Sequence, residues 1–567
     1  MTPSALPPRA SLWAASRRFP WLVVVLLWLL GVVSGVRGLD FGEQWDEHYQ
    51  MQGVRNSVAS LEGMPHRYVY HGIYYDVGYL QLAPIFVKHV PALLAEFSSD
   101  PLVLNRKLPA GPAVKALQKE LRARVDARGY WLSTRLIFLL LSSLALPWSY
   151  LLARSVLPGR PVAAVASTLV VGTSWEFAYH ARYIAVDASL AQFTALTLLG
   201  ASCVFVSRTP HGRLWSVLLA AAGAAGAFSC KITGGVSFVV AGATVLLAPP
   251  LSTSSTRAAV QERFAHGSLF VITFALLFFV STPGFFLDPV RYLMELCFAT
   301  QKYYQTPSPE YAVVGVPHVM GILRWLFLAA PSPWSAAAVV LSVFAVPGCF
   351  VLVRARPVFL FVIVVGVVLH IAVAATSGKL IVRNHLPLFP VMALFIGAGI
   401  DGVMRSLWEQ GRRRIAAGVC LVLSTVFVGQ GAFLIHAAES IRQTSADSIA
   451  DDVAQDMRAA PDTSFLLTPS VRAQLGPRVS CGPELRLQPV SAAAHVLFRA
   501  VEAPAGQWKG NSPGLVEQNY TSLEVNYDWY PRWPGGKHEK ARITRIIGTR
   551  AAAIGIDLST TAPCTSP

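Results

Sequence analysis

Asp46 and Glu47 stand side by side a few residues beyond an apolar run covering 19–39, within Leu39-Asp40-Phe41-Gly42-Glu43-Gln44-Trp45-Asp46-Glu47-His48-Tyr49. Adjacent acids just past a membrane anchor sit where a reactive group can meet a lipid headgroup. A carboxylate there can act as general base toward an acceptor hydroxyl, or the acids can hold a divalent cation. Neighbouring acids are also common by chance, so their setting decides how they are read. Further along, Arg135, Arg182, Lys231 and Arg383 lie at the ends of apolar runs. Such cations either stabilise an anion in a water-poor site or simply anchor the ends of spans. Asp187, five residues after Arg182, reads as its ion-pair partner or as a contact for ligand hydroxyls.

The elements that must position these residues follow from composition. Only 14% of the 567 residues are Asp, Glu, Lys or Arg, against about 25% in a soluble domain. Hydrophobic types make up 53% and the mean hydropathy is +0.48, which excludes disorder, a collagen-like repeat and a disulfide scaffold. The seven cysteines show no C-x-x-C pair and no zinc spacing. Eleven apolar runs can be read as spans: 19–39, 131–152, 162–178, 188–206, 214–230, 235–250, 267–283, 333–353, 358–375, 386–403 and 415–435. The first follows Arg17 and Arg18 and has no convincing cleavage site, so it reads as a retained anchor.

The net charge of +16 would suit a nucleic-acid partner if it were spread over one surface. With a cytoplasmic N-terminus, however, the inner segments 1–18, 153–161, 207–213, 251–266, 354–357 and 404–414 hold fifteen basic residues and two acids. The large outer segments 40–130 and 436–567 balance, with ten and thirteen of each sign. The excess therefore reports orientation. Of the remaining ionisable residues all but Asp401 fall at or near the outer face, which points to a polar substrate handled there.

The first outer loop, 40–130, is rich in aromatics, among them Tyr68, Tyr70, Tyr74, Tyr75, Tyr79 and Phe86. Within it, Val77 to Phe97 is apolar but interrupted by Pro84, Lys88 and Pro91, and is expected to lie on the membrane. From Pro112 onward, Ala113, Leu117, Leu121 and Val125 recur every four residues while Lys115, Lys119, Arg122, Arg124 and Arg128 cover the other faces. The pattern predicts a basic amphipathic helix, either interfacial or packed on the protein's own surface.

Asp46-Glu47-His48-Tyr49 resembles the first-loop signature of the C-type membrane glycosyltransferase superfamily, in its dolichyl-phosphate-mannose protein mannosyltransferase and lipid A aminoarabinose transferase branch. Five further matches follow in order. They are Arg135 in Tyr130-Trp131-Leu132-Ser133-Thr134-Arg135, the Arg182…Asp187 element, Lys231-Ile232-Thr233-Gly234, Leu287-Asp288-Pro289, and Arg383-Asn384-His385-Leu386-Pro387-Leu388-Phe389-Pro390, where Asn384 replaces the common Tyr. Together they cover residues 20 to about 435.

The resemblance implies an integral-membrane enzyme that moves a sugar from a polyprenyl-phosphate carrier to a hydroxyl of a protein, glycolipid or polysaccharide. Asp46 would be the base and Glu47 its orienting neighbour. Arg135, Arg182, Asp187, Lys231, Arg383 and His385 would bind the donor's phosphate and sugar. It does not fix a metal requirement: no cofactor is certain, and the acids permit a divalent cation. The competing class is a transporter or flippase for a lipid-linked or polar substrate, against which stand the missing internal repeat and the gathering of charges at one face. The expected fold is mainly α, a polytopic helical bundle of about eleven spans with a large first outer loop. Residues 1–18 would be cytoplasmic and 19–435 the transferase domain, in a bacterial inner membrane. Residues 436–567 would form a small extracytoplasmic α/β domain. There, 437–459 reads as a helix, and 465–467, 495–498, 523–527 and 543–547 read as strands. Cys481 and Cys564 could pair in an oxidising compartment, and Asn519-Tyr520-Thr521 fits a glycosylation sequon.

Overall fold

The computed structural model describes residues 20–39 apart from 38, 77–99 apart from 79, most of 111–305, 314–442 apart from 378 and 379, the single position 54, and four strands between 464 and 547. Asp46, Glu47, His48 and Tyr49 lie outside the described residues, as do Asp288, Cys481 and Cys564.

The chain is mainly helical. In order come α1 (Pro20–Val36), α2 (Ala83–Ser99), α3 (Pro112–Asp126), α4 (Arg128–Ser143), α5 (Ala145–Val156), α6 (Pro161–Gly172), α7 (Trp175–His180), α8 (Val186–Val206) and α9 (Pro210–Cys230). A 3-10 turn at Ile232–Gly234 leads into α10 (Gly235–Leu247), followed by α11 (Thr256–Ser281), α12 (Pro289–Gln305), α13 (Val316–Leu328), α14 (Ser335–Val343), α15 (Ala345–Ala355) and α16 (Pro357–Ala375). A second 3-10 stretch, Val382–Leu388, opens α17 (Phe389–Glu409), and α18 (Arg413–Arg442) closes the helical part.

Eight helical stretches among the described residues are long and apolar enough to cross a membrane: Gly129–Val156, Val186–Val206, Pro210–Cys230, Thr256–Ser281, Ser335–Ala355, Pro357–Ala375, Val382–Glu409 and Arg413–Ile435. The protein is an integral membrane protein. Three of the eleven expected spans are shorter apolar helices, at Val24–Val36, Pro161–Gly172 and Ile232–Leu247, and Val316–Leu328 is an apolar helix that the eleven runs leave out. The run expected over 162–178 stops at Gly172 because Ser174 takes over the chain: its Oγ accepts from the Phe177 N–H as the cap of α7 and donates to the Ala330 carbonyl at 2.7 Å. At 1.5 Å per residue, α6 with its 12 residues is about 18 Å long, well short of a hydrocarbon core of about 30 Å.

Small residues let the helices approach. A Cβ at Gly399 would run into the Phe344 carbonyl, and one at Gly348 into that of Phe395. At another crossing Gly223 faces the Thr197 backbone. In a bilayer such close contact substitutes for the hydrophobic drive that lipid removes. Replacing Gly399 by Val is expected to cost about 1–3 kcal/mol and to lower the Tm measured in detergent, whereas Gly418→Val, with open space around its Cβ, should leave it unchanged.

The direction of the bundle can be followed from buried ion pairs. Asp401, 1% exposed, lies 3.2 Å from Arg160 and 3.1 Å from Arg405. These groups mark the end of the bundle where α6 starts and α17 finishes. Asp187 at the start of α8, Lys231 after α9 and Arg383 before α17 mark the other end.

α2 runs on through Pro91 and exposes Val87, Val90, Leu94 and Phe97 along one stripe. α3 begins at Pro112 and has the predicted apolar face, but Leu117, Leu121 and Val125 are buried together with Val54, Val77, Leu82 and Tyr130. The face is covered by the protein, so of the two readings of this helix the packed one holds. Glu120 on α3 joins it to α2 through Lys88 and His89, both at 2.8 Å. The hydrogen bonds from Lys88 and His89, in that order, hold the Glu120 carboxyl below its ordinary value.

Toward the C-terminus, β1 (Ser464–Leu467), β2 (His495–Pro504), β3 (Leu515–Thr521) and β4 (Glu539–Ile547) form a sheet of order β1-β2-β4-β3. β1 pairs parallel with β2, and β4 runs antiparallel to both of its neighbours. Three of the four strand readings coincide with strands. The fourth, 523–527, falls outside the described residues; of the helix read over 437–459, residues 437–442 are the end of α18 and the rest lies outside the described residues.

Candidate active site

Asp187 lies in the first turn of α8, where Ala185 is extended and caps the helix without a side-chain bond. Its side chain is almost fully buried. Lys231 approaches it from the break between α9 and the 3-10 turn: extended backbone there ends α9 and turns the ammonium inward. Nζ lies 3.1 Å from Asp187 Oδ1 and donates to Asn384 Oδ1 at 2.6 Å. Arg383, carried by the second 3-10 stretch, places Nε 3.7 Å from Asp187 Oδ2. One carboxylate thus faces two cations brought in by elements far apart in sequence. Removing these charges from water is tolerated because each faces an opposite charge, and Lys231 and Arg383 keep 12% and 18% of their side chains exposed.

His385, two residues after Arg383, is turned into the bundle. Its Nδ1 lies 3.3 Å from His370 Nε2, and the ring stands at 6.0 Å from that of His318. His318 Nδ1 donates to the Ser377 carbonyl at 3.2 Å, which fixes the tautomer of that ring when it is neutral. His385 Nε2 is buried with no hydrogen-bond partner among the described residues. Below the two 3-10 turns, a cavity of about 40 Å³ is lined by Thr233, Ser237, Thr194, His370 and Pro387. Polar groups this deep in an apolar bundle are costly unless they serve each other or a ligand.

Arg135 and Arg182 are turned elsewhere. Arg182 is 1% exposed and donates to the carbonyls of Ala178 at 2.6 Å, Ser34 at 2.8 Å and Arg37 at 3.4 Å. Arg135, 3% exposed, donates to the Leu39 carbonyl at 2.9 Å. Asp187 meets Lys231 and Arg383, His385 stands beside them in the chain but faces the other imidazoles, and the other two arginines meet backbone, Arg182 included, so the Asp187 ion pair is with Lys231 and Arg383 and not with Arg182. Among the described residues no group of three or more His, Cys, Asp or Glu is arranged to hold a metal.

Two participants were not singled out by sequence. In the sequence Asn384 stands out only as a departure from the usual Tyr, yet it supplies an acceptor to Lys231. His370 sits alone in an otherwise apolar 19-residue helix, and an isolated imidazole at that depth was the available signal. Beside Asp187's segment, Glu176, His180 and Tyr183 form a further buried set: Glu176 Oε2 lies 3.3 Å from His180 Nε2, and the Tyr183 hydroxyl bonds His180 Nδ1.

A family model for dolichyl-phosphate-mannose-protein mannosyltransferase matches residues 74–286, less than half of the chain. A search of curated proteins finds no match. Among solved structures, ArnT from Cupriavidus metallidurans bound to undecaprenyl phosphate is similar with a TM-score of 0.50 and 12% identity, over 93% of this chain and 98% of that one. The same protein in its apo state gives the same TM-score and identity over 95% and 99%. At that identity the likeness is one of fold. By its ordered motifs, by the match over 74–286 and by its fold, the chain resembles the C-type membrane glycosyltransferases, in their protein mannosyltransferase and aminoarabinose transferase branch.

Proposed function

We propose that the protein transfers a sugar from a polyprenyl-phosphate carrier to a hydroxyl acceptor at the outer face of a bacterial inner membrane, with its N-terminus cytoplasmic and residues 436–567 forming an extracytoplasmic domain. The observation that carries this reading is the cluster of Lys231 and Arg383 around Asp187 at one end of an apolar bundle. A similar fold has been solved with undecaprenyl phosphate bound, and that chemistry suits two partly exposed cations next to lipid.

In the reaction the acceptor oxygen attacks the anomeric carbon while Asp46 takes its proton, with Glu47 orienting Asp46. The bond from that carbon to the phosphate oxygen breaks, its electron pair stays on the phosphate, and configuration at carbon inverts. Products are the glycosylated acceptor, the polyprenyl phosphate and a protonated Asp46. Negative charge grows on the leaving phosphate, and Lys231 and Arg383 stabilise it in a site of low dielectric. Asp187 sets the two cations in place before the donor arrives, and Asn384 holds the Lys231 ammonium from its other side.

Purified protein in detergent, offered a panel of polyprenyl-phosphate sugars with protein, glycolipid and polysaccharide acceptors, is expected to consume one donor and release polyprenyl phosphate. No consumption of any donor, together with transport of an intact lipid-linked sugar in proteoliposomes, would sink the proposal.

A further inference from the structure

An α-helix leaves its last carbonyls without partners, and its dipole concentrates partial negative charge at that end. α1 finishes at Val36 in apolar surroundings, after packing Gly31 against Ser143 and Gly35 against Leu139. The carbonyls just there, of Ser34, Arg37 and Leu39, are those that Arg182 and Arg135 reach. Arg182 also returns one donor to Ala178 in its own segment, so a single guanidinium ties the end of α1 to the turn that precedes α8. These three bonds all go to main chain, and the planar fork of Arg182 is suited to several acceptors at once. Burial separates these arginines from the other two cations: 1% and 3% of Arg182 and Arg135 is exposed, against side-chain exposures of 12% and 18% at Lys231 and Arg383. A phosphate would find almost no surface on the first pair.

We infer that Arg135 and Arg182 are positioning residues that clamp the exit of α1, and with it the start of the segment bearing Asp46 and Glu47, and that they do not bind the donor's phosphate. Leu39, held by Arg135, is seven residues before Asp46. Loosening that anchor lets the base wander from its acceptor while leaving the phosphate cations where they are. For its effect on turnover the inference rests on the sugar-transfer reading, but the clamp itself has a readout that does not.

The test compares full-length wild type, Arg135→Ala, Arg135→Gln, Arg182→Lys and Arg383→Gln in detergent, by hydrogen–deuterium exchange and by kinetics with the donor the wild type consumes. Exchange over residues 38–49 should speed up in Arg135→Ala and Arg182→Lys and stay at the wild-type rate in Arg383→Gln. In the first two, kcat should fall about 10- to 100-fold, the scale of a misplacement of roughly an ångström, with the donor KM within about twofold. Gln at position 135 keeps one donor for the Leu39 carbonyl and should restore most of the rate. Unchanged exchange over 38–49, or a donor KM raised about tenfold or more in Arg135→Ala, would overturn the inference. If Arg182→Lys does not fold, the two Arg135 variants decide it. Should wild type transfer no sugar, the exchange comparison still decides whether the clamp exists, and only the functional reading falls.

Discussion

Asp46→Asn is expected to reduce transfer by about 100- to 10,000-fold, the usual contribution of a positioned general base. The amide keeps the size and polarity of the side chain but cannot accept the acceptor's proton. Insertion, yield and Tm should match wild type, and the donor should bind as before, because the proposed reaction assigns the phosphate to Lys231 and Arg383. The loss belongs to kcat and is best read in single turnover with bound donor. Asp46→Glu should keep part of the rate, since a carboxylate remains at the end of a longer arm. Wild-type turnover by Asp46→Asn would eliminate the base assignment.

Lys231→Met produces the second large effect, and here stability and catalysis must be separated. Removing the ammonium leaves the buried Asp187 carboxylate with Arg383, at 3.7 Å, as its nearest cation among the described residues, and strips Asn384 of its Lys231 donor. Breaking a buried pair costs about 3–5 kcal/mol when the remaining charge has no other partner, and Arg383 reduces that here. The single variant should therefore lose Tm as well as about 100- to 1000-fold in kcat, the scale of one lost oxyanion donor. Pairing it with Asp187→Asn removes the stranded charge. The double variant should regain most of the Tm and none of the rate. If it regains both, the cluster is a structural ion pair and the phosphate has another host.

What the sequence made legible was set by what each pattern encodes. Long apolar runs located most of the spans, because twenty apolar residues have few other uses. The run through 162–178 was extended too far since Trp175, Phe177 and Ala178 are apolar enough to continue it, while the break depends on a Ser174 hydroxyl that bonds a carbonyl more than 150 positions away. Val316–Leu328 escaped because 13 residues fall below the length that signals a crossing. Periodicity identified the apolar face of α3 but could not say what covers it, and the cover turned out to be protein. The same holds for the cations. Residue type and position at the ends of apolar runs singled out Arg135, Arg182, Lys231 and Arg383 alike. Nothing in one dimension separates an arginine that meets a carboxylate from one that meets the end of α1. Asp46 and Glu47 are legible as chemistry, and their placement belongs to residues outside those described.

The brevity of α6 has a consequence for the backbone that follows it. A helix of about 18 Å, starting beside Asp401's cluster, cannot by itself carry the chain to the far surface of a layer about 30 Å deep. The break at Thr173 and Ser174 therefore falls at membrane depth, where non-helical backbone is tolerated only under a cover of protein. The Ala330 carbonyl, which accepts from Ser174, belongs to that cover.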